Sequence, residues 1–126
     1  MREPPPVRRH SDPLGRYAES VEISGASRVL FISGQVPADV DGTAPTGFAD
    51  QCRNAWQRVP AVLEQHDVRP EHLVEVTTFL RDRDDRELSG EVRGQVLGER
   101  LPALTAVVAE LYEPDWLVEI EAIALA

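Results

Sequence analysis

The chain has 126 residues, of which 42% are hydrophobic and 28% charged, a composition typical of one soluble globular domain. The formal net charge of −9 disfavours nucleic acid as a partner and no apolar run approaches the roughly 20 residues of a membrane span, so we expect a cytoplasmic protein that binds neither nucleic acid nor membrane. One cysteine, three scattered histidines and no lysine exclude an internal disulfide and a lysine Schiff base, and we expect no metal and no cofactor.

The N-terminal residues 1–14 are rich in proline and in charged side chains. They show no hydrophobic periodicity that would bury one face, which is typical of a tail that is loose or lies on the surface. We therefore predict an N-terminal tail over residues 1–14 and a single domain over residues 15–126.

Two strands are predicted near the start of the domain. Residues 17–23 can form a short strand, a Ser-Gly-Ala-Ser turn follows, and residues 28–37 form a second, mostly apolar strand. Their closeness in sequence predicts an opening hairpin. Residues 39–47 are rich in Asp, Gly, Thr and Pro and are expected to form a loop.

The clearest helix spans residues 47–66, where apolar side chains recur at spacings of three and four. Pro60 lies inside it and removes one backbone hydrogen bond, so a kink is expected near Trp56. Cys52 lies on the apolar stripe and is interpreted as a core thiol rather than a reactive one.

The second half of the chain predicts three strands and one helix. Residues 73–80 are rich in Val, Thr and Phe and predict a strand, after which a run of mixed charges forms a solvated turn. Residues 103–111 and 116–125 predict the last two strands, joined by a turn as a second hairpin-like pair. Between these strands and the solvated turn lies a second helix, marked by apolar residues four positions apart, Leu88, Val92 and Val96.

The predicted order β-β-α-β-α-β-β fits an α+β domain with a mixed sheet and both helices packed on one face. The other face of the sheet then needs cover, and the plainest cover is another copy of the chain. We therefore expect a homo-oligomer.

Two glutamates interrupt the last predicted strand. Glu119 and Glu121 share one face of that strand, about 7 Å apart. Either both face water, or a neighbouring subunit covers them. Burial would raise the pKa of a carboxyl group and suit it to general acid or base catalysis.

Two hydroxyl groups are candidates for ligand contacts. Ser33 precedes Gly34, a residue that would let a ligand approach the backbone closely. A serine nucleophile needs a base, and the chain has neither a histidine near Ser33 nor a Gly-x-Ser-x-Gly motif, so hydrogen bonding to a ligand or to the sheet is favoured. Tyr17 either stands at a pocket rim or packs half-buried.

These residues together resemble the Rid family, also called the YjgF/YER057c/UK114 family. The Ser-Gly-Gln-Val-Pro and Glu-Ile-Glu-Ala-Ile-Ala runs, in this order, are the most specific signal. The resemblance implies a homotrimer with a chorismate-mutase-like α+β fold and imine or enamine deaminase activity in pockets between subunits. It covers most of the chain, and the motifs that carry it lie at residues 15–17, 31–37, 74–82, 101–103 and 118–124.

The resemblance also implies roles for particular residues. Tyr17, Ser33 and Glu119 stand at pocket positions of the family, in which the glutamate orients the hydrolytic water. The family arginine that binds the substrate carboxylate is replaced by Leu104, because the chain reads Pro-Ala-Leu-Thr where the family has Pro-Ala-Arg followed by Ser or Thr. Arg16 stands where the family usually has proline, and it either restores an anion site or lies on the surface.

Leucine cannot form the bidentate contact by which arginine holds a carboxylate. We therefore predict a homotrimer that hydrolyses a small imine, enamine or related intermediate other than 2-iminopropanoate, with Glu119 as the catalytic base or water-orienting group. The residues predicted to contact this small-molecule ligand are Tyr17, Ser33, Arg16 and Leu104. The alternative is a non-catalytic binding or interaction protein on the same scaffold.

Overall fold

Six strands and two α-helices make up the part of the chain that the computed structural model describes, residues 6–126. Each predicted helix and strand of the domain is present within a few residues of its expected ends. The helices are α1 (Phe48–Gln65) and α2 (Arg86–Leu97). The strands are β1 (Val7–Ser11), β2 (Ala18–Ile23), β3 (Val29–Gln35), β4 (Leu73–Leu80), β5 (Ala103–Val108) and β6 (Val118–Leu125).

All six strands belong to one sheet in the order β1-β2-β5-β4-β6-β3. The central strand β4 is parallel to β5 and antiparallel to β6, so the sheet is mixed. Buried and half-buried side chains alternate along β4 and β6, and both helices pack on the face that the buried ones share. The predicted α+β class, with two helices on one face of a mixed sheet, is confirmed.

The predicted hairpins are wrong. Among the described strands, β2 pairs with β1 and with β5, and β3 pairs only with β6, although β2 and β3 follow each other in the chain. The connection between them is held at the end of β6, because the amides of Ser27 and Arg28 both donate to the carbonyl of Ala126. β5 and β6 likewise lie on opposite sides of β4.

The N-terminal residues differ from the predicted tail. β1 pairs with β2 in antiparallel register, and Arg9 donates from Nε to the carbonyl oxygen of Leu101 at 3.1 Å. Asp12, within the predicted tail, is only 3% exposed. Periodicity failed to reveal β1 because an edge strand with largely exposed side chains is held by its backbone ladder. Residues 1–5 of the predicted tail lie outside the described residues.

The core lies between the helices and the sheet. Trp56 and Leu63 of α1 are fully buried against Val76 and Ile120 of the sheet. The opposite face of the sheet carries large apolar side chains in the open, and Phe31 is 75% exposed. No helix in the described part of the chain is long and apolar enough to cross a membrane.

Candidate functional site

A bulge in β3 shapes the first part of the site. Ile32 lies opposite Ala122 of β6, yet the next paired residues are Gln35 and Ile120. Ser33 and Gly34 therefore share the space opposite one residue of β6, which bends the strand locally. Such a bulge re-aims side chains at the end of a strand, and here it occurs at the polar run of β3.

Glu119 lies directly against this bulge. A Cβ atom added to Gly34 would lie 2.7 Å from Glu119 Cδ and would overlap the carboxylate oxygen Oε2. Glycine is therefore required at position 34 for the carboxylate to occupy its place. Glu119 is half-buried and Ser33 is exposed. The structure thus brings the Ser33–Gly34 bulge and Glu119 together, and we refer to these three residues as the carboxylate patch.

Three other predicted residues line a groove beside α2 and β5. The groove has a volume of about 1280 Å³, and Arg16, Tyr17 and Leu104 lie on its walls. Leu104 is partly buried and packs against the core. We refer to this feature as the α2–β5 groove.

The carboxylate patch and the α2–β5 groove lie on opposite faces of the sheet. Leu104 is opposite Val76, whose side chain is fully buried on the helix face. Glu119 is opposite Phe79, an odd-numbered residue of β4 that points to the other face. Within one chain, the five predicted site residues therefore form two separate groups.

Arg16 is held by a buried carboxylate. Its Nε and Nη2 atoms donate to Asp12 Oδ2 at 3.2 and 3.0 Å, and its backbone amide donates to Asp12 Oδ1 at 2.6 Å. Burial would raise the pKa of Asp12, but the hydrogen bonds from Arg16 and from the Leu14 and Tyr17 amides outweigh it and lower that pKa. The charge of Arg16 is thus already balanced within the chain.

Arg93 is a groove residue that the sequence reasoning missed. It lines the α2–β5 groove, is only 5% exposed, and donates from Nη2 to the carbonyl oxygen of Arg16 at 3.0 Å. Burial lowers the pKa of its guanidinium. Its signal in the sequence is its spacing, because it lies four residues after Ser89 and four before Leu97, both buried on the same face of α2.

The thiol of Cys52 is buried and outside both features. Burial raises the pKa of Cys52 to about 12, although a hydrogen bond from Ser89 opposes the shift. We expect the folded protein not to react with a thiol reagent such as 5,5′-dithiobis(2-nitrobenzoate) at pH 8, whereas the protein unfolded in guanidinium chloride releases one equivalent of chromophore. Rapid reaction of the folded protein would contradict the assignment of Cys52 to the core.

Metal-binding side chains are not grouped in this fold. Among residues 6–126 there is no set of three or more His, Cys, Asp or Glu side chains placed to hold a metal ion.

Comparisons with known proteins agree with this architecture. A family model described as Endoribonuclease L-PSP matches residues 8–126. The RutC family protein PH0854 of Pyrococcus horikoshii is 35% identical over 114 residues, which cover 89% of this chain and 88% of that protein. The RutC family protein UK114 of Drosophila melanogaster is 31% identical over 115 residues, covering 90% of this chain and 81% of that protein.

A solved structure shows the same fold. The Rid-family protein YyfB of Yersinia pestis superposes with a TM-score of 0.80 over 95% of this chain and 98% of that one, at 21% identity. At this identity the likeness establishes the fold alone. The chorismate-mutase-like topology implied by the sequence motifs is thereby confirmed.

Proposed function

The chain belongs to the endoribonuclease L-PSP family, which includes the Rid and YjgF proteins, and from this premise we propose that it hydrolyses a small imine, enamine or related reactive intermediate. The observation that carries the proposal is the placement of Glu119. Its carboxylate is fitted against Gly34 at a β-bulge, on a sheet face that is otherwise rich in exposed apolar side chains. A carboxylate held in this way can act on water next to a bound ligand.

The separation of the two residue groups supports pockets between subunits. The α2–β5 groove and the carboxylate patch of one chain face opposite ways, so one chain cannot complete the site. In a homotrimer, the patch of one subunit would close the groove of the next. Burial of exposed apolar residues on the open face, such as Phe31, would drive that association.

The proposed chemistry is a hydrolysis with a balanced proton transfer. Glu119 accepts a proton from water as the water oxygen bonds to the carbon of the protonated imine, which gives a carbinolamine. Glu119 then returns that proton to the nitrogen, the C–N bond breaks, and the hydroxyl proton passes to the departing ammonia, so that a carbonyl compound and ammonium are released. Tyr17 and Ser33 position the ligand through their hydroxyl groups. The reaction needs no metal or cofactor, and the cytoplasmic location remains a prediction from the sequence.

Leu104 bears on the substrate. Leucine cannot make the bidentate contact of the family arginine and instead offers contact to a larger apolar side chain, so 2-iminopropanoate, whose side chain is a methyl group, is not the expected substrate. The test is to generate a panel of imines in situ with amino-acid oxidases and to measure ammonia release with and without the protein. Acceleration of an imine with a larger side chain is expected, and no acceleration across imines and enamines would contradict the proposal.

The variant Leu104→Arg belongs in the same screen. Because it restores the residue type of the family motif, we expect it to gain hydrolysis of 2-iminopropanoate while the wild type hydrolyses it poorly. The matched control is Leu14→Arg, which introduces the same charge at a side chain that is 73% exposed and outside the groove lining. Equal gains in both variants would show that added charge alone, rather than its place in the groove, is responsible.

The replacement at position 104 also favours the second candidate, a non-catalytic protein that binds a small molecule on the same scaffold. Such a protein would bind ligands in the groove and accelerate none of the imines in the panel. Cleavage of RNA is the activity in the family's name. It is disfavoured for this chain because a net charge of −9 repels the phosphate backbone of RNA.

The assembly can be tested at Phe31, which lies on the open face and is 75% exposed. Phe31→Asp places a charge where a subunit contact is proposed, and we expect the mass from light scattering to fall from that of three chains to that of one. Val40→Asp is the control, since Val40 is fully exposed in the loop before α1. A trimer that survives Phe31→Asp would contradict this placement of the interface.

A further inference from the structure

Arg93 has the features of an unoccupied anion anchor. A guanidinium carries five N–H donors, and within residues 6–126 the only hydrogen bond that the Arg93 side chain makes runs from Nη2 to the Arg16 carbonyl. Its Nε is buried and has no partner among these residues. A buried charge without a counter-ion is destabilising. We therefore expect a group from outside the described residues to balance the charge of Arg93.

Asp84, Glu87 and Glu91 also line the groove, but they are exposed and none of them forms an ion pair with Arg93. None of the ion pairs within residues 6–126 includes Arg93, whereas Arg16, on the same groove, is paired with Asp12. The carbonyl of Arg16 instead fixes the direction of the Arg93 side chain. Four arginines line the groove. Arg83 and Arg86 are exposed and Arg16 is paired with Asp12, so Arg93 is the buried arginine whose charge has no ion-pair partner among the described residues.

Open space and a second polar group lie beside Arg93 in the groove. Thr78 also lines the groove, is 1% exposed, and its Oγ1 is buried without a partner among the described residues. Gly90 and Gly94 flank Arg93 on α2 and lack side chains, and a Cβ added at Gly94 would meet nothing within 4 Å. The groove therefore has open volume beside two side chains, each of which keeps one buried hydrogen-bonding atom without a partner among the described residues.

We propose that Arg93, assisted by Thr78, binds the carboxylate of a small organic acid in the α2–β5 groove, in place of the arginine that is absent at position 104. This inference rests on the proposed function and names its substrate class: a carboxylate-bearing imine or enamine whose side chain is apolar. The apolar part of the ligand would contact Leu104 and its neighbours Leu80 and Leu101, which line the same groove. Leu104 then selects the side chain while Arg93 holds the charge.

The test is a binding measurement that does not depend on turnover. Isothermal titration of the full-length protein with 4-methyl-2-oxopentanoate is compared with titration by its methyl ester, a neutral analogue of nearly the same shape. We expect the acid to bind at least tenfold more tightly than the ester, and equal affinities, or no binding of the acid, would overturn the inference.

Two variants locate the anchor. Arg93→Gln is expected to remove the preference for the acid, while Arg53→Gln keeps it, because Arg53 is a solvent-exposed arginine on α1 that pairs with Asp50. If Arg93→Gln fails to fold, Arg93→Lys is compared instead: it keeps the charge but loses the bidentate guanidinium contact, so the preference for the acid should weaken, and an unchanged preference would overturn the inference. Loss of the preference in Arg16→Gln but not in Arg93→Gln would assign the anchor to Arg16 and overturn the inference.

The failure of this inference can be told apart from failure of the proposed function. Binding of the acid through Arg93 without acceleration of any imine would leave the anchor in place and refute the hydrolysis. Acceleration of imines that is the same for acids and esters, and unchanged in Arg93→Gln, would leave the hydrolysis and refute the anchor.

Discussion

Glu119→Gln is expected to reduce hydrolysis of the best imine substrate by a factor of about 10² to 10⁴, the usual contribution of a general base. The amide keeps the shape of the carboxylate but cannot accept a proton from water. The fold should remain intact, because no hydrogen bond or ion pair to the Glu119 side chain is found within residues 6–126. The measurement is initial-rate ammonia release, with circular dichroism to verify folding.

Glu121→Gln is the matched control for this variant. Glu121 lies two residues along the same strand and on the same face, and it is exposed. Its replacement changes the net charge equally and should leave the rate within a factor of about two. Full activity of Glu119→Gln, or equal losses in the two variants, would refute the role assigned to Glu119 and favour the non-catalytic alternative.

Local patterns in the sequence were sufficient to find most of the secondary structure. α1 and β4 lie where the apolar spacing placed them, because each buries one face of a regular element. The partners of the strands were not predictable in the same way. β3 pairs with β6, more than eighty residues later in the chain, and no local turn chemistry specifies that choice.

The candidate site, too, could be predicted from local sequence patterns only in part. Ser33 and Glu119 were identified from motifs, and the structure places the Ser33–Gly34 bulge beside Glu119. Arg93 was missed because a charged residue on a helix is ordinarily assigned to the solvent face. Its side chain donates to the carbonyl of Arg16, which is 77 residues away in sequence, so no pattern within the helix alone could establish that partner.

Gly34→Ala is expected to lower hydrolysis by about 10²-fold with little change in stability, since a displacement of about 1 Å at a reacting group can cost that much. The added methyl group would overlap the Glu119 carboxylate, with Cδ 2.7 Å from the new Cβ. Gly34 does not have a positive φ, so alanine introduces no backbone strain there. The flexible end of Glu119 should therefore move, rather than the strand.

Gly47→Ala controls for the loss of a glycine as such. Gly47 precedes α1 with a φ of −94°, and a Cβ added there would meet nothing within 4 Å. The rate should be unchanged, and the thermal midpoint should shift by no more than a few degrees, as for a modest change at a helix N-cap.

The two carboxylate-patch variants can be combined to show that they act on one group. If Gly34→Ala lowers the rate only by displacing Glu119, it should have almost no further effect in a Glu119→Gln background, because the displaced base is already absent. Losses that multiply in the double variant would show that Gly34 acts independently, for example by admitting the ligand to the backbone of β3. The coupling therefore tests whether the bulge serves the carboxylate.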